Sequence, residues 1–141
     1  MNKKQFLASL SEVYTRLAPT AYGVGVIAIR SIPQGTDPFK NCDPFGDVLE
    51  ISESEFEASD APEEAKELAR DFCALQNGTY FVPDYGIDAI DKSYFLNHSD
   101  TPNLTTHDDG ESFVALRDIA KDEELTANYG QYHHTRRFRR D

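Results

Sequence analysis

Basic side chains are scarce in this chain. Its 141 residues carry 25 Asp and Glu against 14 Lys and Arg, a formal net charge of -11. Such a chain is a poor candidate for holding nucleic acid through backbone phosphates. Its field gathers cationic partners, such as basic peptides or protein tails, or simply maintains solubility. Cysteine is nearly absent too. Cys42 and Cys73 stand far apart and show no metal-ligand spacing; a reduced compartment suits them, and a single disulfide is left open. Long hydrophobic runs are missing, and none approaches the roughly 18 apolar residues that a membrane span needs. The N-terminal "MNKKQFLASLSEVY" is too broken by polar residues for a secretory signal. An intracellular protein, cytoplasmic or, in a eukaryote, nuclear, without membrane or direct nucleic-acid contact is expected.

What remains suits one folded domain, with 39% hydrophobic and 11% aromatic residues. There is no internal repeat, low-complexity segment or linker. Charge is uneven along the chain. Residues 43–72 hold 11 acids and only Lys66 and Arg70, whereas the last six residues, "RRFRRD", hold four arginines.

Residues 3–17 are ambiguous: Phe6, Leu10, Val13 and Leu17 recur at helical spacing, while Val13, Thr15 and Leu17 alternate as in a strand. A short N-terminal helix followed by a strand ending near Pro19 is expected. "YGVGVIAIRSIPQGT" reads as a strand stopped by Pro33-Gln34-Gly35. Residues 60–76 give the best helix, with Asp60 as N-cap, an apolar face of Ala65, Leu68, Ala69, Phe72 and Leu75, and Asn77-Gly78 at its end. "TYFVP" reads as a strand, "NLTTHDDGESFVALRDI" as a hairpin turning at Asp109-Gly110, and "EELTANYG" as a last short strand. Many short strands with one main helix predict an α+β domain, mainly antiparallel β.

Three stretches bear on chemistry. In "YGVGV", Gly23 and Gly25 permit unusual backbone angles or close approach of a ligand to main chain. A third glycine and a following helix are missing, so the pattern is not a Rossmann phosphate cradle, and a structural turn is the simpler reading. In "YFLNHSDTPNL", the Asn97-His98-Ser99 run followed by Pro102-Asn103 is turn-forming and rich in hydrogen-bonding groups. His98 has no partner at zinc-like spacing, and no G-x-S-x-G elbow accompanies Ser99. A metal hydrolase using His98, His107 and Asp108 is the remote alternative. In "EELTANYG", Tyr129 taken alone is a half-buried aromatic with its hydroxyl at the surface.

In this order, "GVGVIAIRSIPQGT", "YFLNHSDTPN" and "FVALRDIAKDEELTANYG" resemble the SET domain of protein lysine methyltransferases. The resemblance runs from about Val13 to Tyr132. It implies a SET fold of small curved antiparallel sheets, with the C-terminal segment passing beneath the Asn-His-Ser loop as a pseudoknot, an exception to the rule against threading. On this footing 1–141 is a single SET domain with an N-terminal extension over 1–12, an acidic helical insert over 43–78 and a basic tail over 131–141. The resemblance implies S-adenosylmethionine against Gly23, Val24, Gly25, Asn97 and His98, with Tyr129 at both the cofactor and the catalytic site. Tyr80 would be a second channel tyrosine. The implied substrate is a lysine in a basic protein or peptide. The rival is a SET-fold module that binds peptide or cofactor without catalysis.

Departures from the family pattern are specific. Asp100 stands where many relatives place a zinc-binding cysteine, and no cysteine follows, so no zinc is expected and "GQYHHTRRFRR" is the candidate for closing the lysine channel. Tyr94 replaces the usual arginine, Asp122 a glycine, and Asn128 the common aspartate.

Overall fold

Two strands joined by a tight turn begin the fold. In the computed structural model, which describes residues 2–40, 48–84, 86–89 and 91–132, β1 (Thr15–Thr20) pairs antiparallel with β2 (Gly23–Ala28), from Thr15 opposite Ala28 to Thr20 opposite Gly23. Gly23 takes a φ of 100°, which a side chain would resist. The Thr20 hydroxyl donates to the Gly23 carbonyl (2.9 Å) and accepts from the Tyr22 N–H (3.1 Å), closing the turn. Upstream, the ambiguity of residues 3–17 resolves by division: α1 (Lys3–Ser9), a 3-10 turn over Leu10–Glu12, then β1. An Asn2–Gln5 capping box starts α1. No residue of α1 is buried, so its apolar spacing marks no core face among the described residues. The strand continues past Pro19 to Thr20, which an edge position allows.

The C-terminal strand lies inside this sheet. The order is β1-β2-β9-β6, with β9 (Glu124–Ala127) antiparallel to β2 and parallel to β6 (Asn97–His98). The parallel pair follows from the threading of the C-terminal segment under the loop after β6, the pseudoknot of the expected fold. Asn103 clamps the strand there. Its Oδ1 accepts from the Thr126 N–H (2.8 Å) and its Nδ2 donates to the Glu124 carbonyl (2.8 Å), so one side chain stands in for a neighbouring strand. The Ser99 N–H donates to the Ala127 carbonyl at 3.0 Å.

The acidic segment, described from residue 48 on, is more than a helix. It contains β3 (Val48–Ser52), α2 (Glu53–Glu57), α3 (Glu63–Phe72) and β4 (Ala74–Gln76), and β5 (Thr79–Pro83) completes a sheet of order β3-β5-β4. The helix expected over 60–76 is therefore shorter at both ends. Asp60 does not cap it, because Pro62 occupies the cap with extended ψ (144°) and biases Ala61 away from helix. Asn77-Gly78 does not end it either. With φ of 51° and 77°, these two residues make the primed turn that joins β4 to β5. Leu75, counted on the helix face, is buried in β4. Arg70 binds Glu57 and Glu63, each at 2.7 Å, tying α3 to α2.

A third pair joins β7 (Leu104–Thr105) to β8 (Val114–Ala115). Asp109 and Gly110 take positive φ as the turn reading requires (59° and 90°), but residues 106–113 form a wide loop between the short strands. Packing divides into two cores. The larger gathers Val26, Ala28, Ile32, Leu104, Ile119 and Leu125 among others, and the smaller gathers Cys73, Leu75 and Tyr80 under α2 and α3. Phe72 and Phe95, with ring centroids 5.2 Å apart, connect α3 to the chain just before β6. No helix among the described residues is long and apolar enough to cross a membrane.

Candidate active site

Alternation along β9 sets the site. Leu125 and Ala127 are fully buried, which turns Glu124 and Thr126 to the other face. Glu124 lies opposite Ile27 in β2, and its carboxylate accepts from Asn97 Nδ2 at 2.7 Å. The same nitrogen lies 3.3 Å from Thr20 Oγ1. A carboxylate only accepts, so the contact fixes which end of the Asn97 amide faces it. Asn97 is 4% exposed, so the contact is held away from bulk water.

Gly25 sits at the centre of this group. A Cβ built there would lie 2.6 Å from Glu124 Oε2, 2.6 Å from Thr20 Cγ2 and 2.9 Å from Asn97 Nδ2. Its glycine is required by close approach of these side chains rather than by the turn. Gly23 differs: it makes the turn, and a Cβ there would meet nothing within 4 Å. Val24, between them, is half exposed.

His98 follows Asn97 on β6 and is nearly buried. Its Nδ1 accepts from the Tyr129 backbone N–H (3.1 Å), and its Nε2 lies 3.0 Å from Asp100 Oδ1. Tyr129 opens a 3-10 turn (Tyr129–Gln131) that Asn128 caps by accepting from the Gly130 N–H, a task aspartate would do equally well. The Tyr129 hydroxyl donates to the Leu96 carbonyl at 2.5 Å. Its ring meets the edges of His98 (5.3 Å) and Tyr132 (5.9 Å). Burial, with the Tyr129 hydroxyl second, pushes the Tyr132 hydroxyl up, so it stays neutral behind Tyr129.

The fold thus brings Gly25, Asn97, His98 and Tyr129 together around β9, with Gly23 and Val24 at the turn end of the β1–β2 hairpin. Tyr80 packs in the smaller core with its ring 4.7 Å from Phe56. Glu124, Thr20 and the Asp100 contact join the site without having been singled out from the sequence. The Glu124–Asn97 pair is separated by 27 residues, and only the register of β9 reveals it. The remote metal-site alternative is not supported: Asp108 bonds to Thr106 and Ser112 within its own loop, and no cluster of three metal-binding side chains occurs among the described residues. Cys73 is buried, which pushes its thiol up to about 11 and keeps it unreactive at neutral pH. Cys42, His133, His134 and the arginine-rich tail fall outside the described residues.

Comparison with known proteins agrees with this architecture. The family model described as "SET domain" matches residues 23–130. No curated protein matches the sequence. Among solved structures, a Plasmodium falciparum protein provisionally named a histone methyltransferase aligns with a TM-score of 0.51 and 17% identity, over 87% of this chain and 96% of that one. At that identity the likeness speaks for the fold alone. The matched span covers the glycine hairpin, the Asn-His loop and the strand leading to Tyr129: the chain belongs to the SET-domain family.

Proposed function

We propose that this chain transfers a methyl group from S-adenosylmethionine to the side-chain amine of a lysine in a basic protein segment. Membership of the SET family supports a methyltransferase-like function. The observation that carries the finer reading is Tyr129, held at backbone and hydroxyl by His98 and Leu96, at the end of the strand that joins Glu124 to Asn97.

The residues around Gly25 fit S-adenosylmethionine. The open main chain at Gly23 and the half-exposed Val24 offer a surface for close approach. Beside them, the Glu124 carboxylate and the Asn97 amide suit a group carrying positive charge. Gly23, Val24, Gly25, Asn97, His98 and Tyr129 would hold the cofactor, which supplies an electrophilic methyl on a sulfonium.

The rest falls to the protein. A lysine at its ordinary pKa of about 10.4 is protonated at neutral pH. It must release that proton to solvent before its lone pair can attack. An apolar channel favours this step, because desolvation opposes the charged form. Tyr129 donates its hydroxyl hydrogen to Leu96, so its Oη presents lone pairs to an N–H of the incoming amine. That contact orients the nitrogen, and alignment of two reactants supplies several kcal/mol of the barrier. Tyr80 is assigned to the channel wall on the family resemblance. The net charge of -11 supports a basic substrate segment.

The test is transfer of an isotopically labelled methyl group to lysine-rich proteins, with the modified residues read by mass spectrometry. Tyr129→Phe should lower turnover by about 100-fold or more. It should cost only about 1 kcal/mol of stability, since the Leu96 carbonyl loses one donor. Near-normal turnover would remove Tyr129 from its role. Cofactor binding without transfer to any lysine would favour the non-catalytic module.

A further inference from the structure

His98 has two ring nitrogens, and each faces a group of fixed polarity. At Nδ1 stands the backbone N–H of Tyr129, which only donates. At Nε2 stands the carboxylate of Asp100, which accepts. The two contacts agree on one neutral form: lone pair on Nδ1, hydrogen on Nε2. The opposite tautomer would set two donors face to face at Tyr129 and two acceptors face to face at Asp100. The His98 side chain is 6% exposed and that of Asp100 75% exposed, so the pair joins a buried ring to the surface. Asp100 is not loosely placed. The Thr101 N–H bonds Ser99 Oγ at 3.0 Å, and the Ser99 N–H bonds the Ala127 carbonyl at 3.0 Å, so the turn that carries Asp100 is anchored to β9.

We propose that Asp100 is a positioning residue for Tyr129, acting through His98. This rests on the assignment of Tyr129 to methyl transfer. By accepting the Nε2 hydrogen, Asp100 holds the imidazole in the form whose Nδ1 receives the Tyr129 N–H. That bond fixes the backbone at the start of the Tyr129–Gln131 turn, and the Tyr129 hydroxyl then reaches the Leu96 carbonyl. Water in place of the carboxylate could donate or accept, and would not select the tautomer. The residue that distinguishes this chain from zinc-binding relatives thereby gains a task inside the active site.

Asp100→Ala and Asp100→Asn in the full chain test this, read by imidazole nitrogen and proton NMR, by methyl-transfer kinetics on a lysine peptide and by thermal melting. The wild-type protein should show a protonated Nε2, with its hydrogen protected from exchange, and a bare Nδ1. Asp100→Ala should lose the protected Nε2 hydrogen and lower kcat about tenfold with little change in peptide KM, by analogy with the loss seen when the partner that orients a metal-ligating histidine is removed. Asp100→Asn still offers an acceptor oxygen, so it should keep the signal and most of the activity. A hydrogen on Nδ1 in the wild type, unchanged imidazole signals or unchanged kcat in Asp100→Ala, or an Asn variant that behaves like Ala, would each overturn the assignment. Absence of methyl transfer by the wild type overturns the functional reading alone, and the imidazole signals then decide the Asp100 assignment.

Discussion

Gly25 carries the tightest steric demand in the site. Alanine there would force its Cβ within 3 Å of Glu124, Thr20 and Asn97. The Glu124 carboxylate can swing aside, but Thr20 is short and branched and Asn97 is buried. Gly25→Ala should therefore break the Glu124–Asn97 contact and weaken S-adenosylmethionine binding by about tenfold or more, the scale of one lost charge-assisted hydrogen bond. Calorimetric titration checks it, and unchanged affinity would remove this group from the cofactor site. Glu123, the neighbour of Glu124, titrates instead with stability. Its hydrogen bond with Arg117, aided by the Ala120 N–H and Asn103, holds its carboxyl at about 2, below the usual glutamate value of 4.5. The unfolded chain binds that proton more readily, so the contribution is complete above the usual value and is lost as pH falls through about 2. Glu123→Gln should cost about 1 kcal/mol at pH 7, a modest figure because the pair is partly exposed. The difference in melting temperature should shrink on acidification. A difference that persists at low pH would contradict it. Asp122 shows a third residue-scale effect. Its φ of 72° lies in the region that glycine prefers, which agrees with the glycine that the family pattern implies there.

Strand β9 depends on a side chain for part of its pairing. Asn103 is 3% exposed and satisfies one backbone donor and one backbone acceptor of the strand. Asn103→Ala leaves both without that partner and should destabilise by roughly 2–4 kcal/mol. Urea unfolding checks this, and a loss under 1 kcal/mol would mean that β9 is held by its ladders alone. The elements also show where sequence reasoning was sound and where it failed. The glycine hairpin, the TYFVP strand and the positive-φ pair Asp109-Gly110 were legible because turn chemistry and runs of β-branched and aromatic residues are local signals. The helix over 60–76 was overextended because Leu75 continues a helical spacing by coincidence, while Asn77-Gly78 serves equally well as helix stop or hairpin turn. Helix α2 was missed although Ser52 and Glu55 form a capping box in the observed structure; five residues are too short for periodicity to register.

At the scale of the molecule, charge is segregated. The helices α2 and α3 carry Glu53, Glu55, Glu57, Glu63, Glu64, Glu67 and Asp71 against Lys66 and Arg70. If this field draws in the proposed basic substrate, KM for a lysine peptide flanked by arginines should rise about three- to tenfold between low and 0.3 M salt, as screening shortens the reach of surface charge. A peptide with neutral flanks should respond little. Equal response of the two peptides would sink the charge argument. The sequence by itself determined the family and the turns at Gly23 and at Asp109-Gly110, because motif spacing and the residues that take positive φ are written along the chain. Only the tertiary structure decided that Glu124 faces Asn97, that Asn103 clamps β9 and that His98 joins Asp100 to Tyr129. The first two and the His98–Tyr129 bond span 21 to 31 residues. They exist because β9 enters the sheet between β2 and β6, and strand register and threading, unlike turns, leave no local mark.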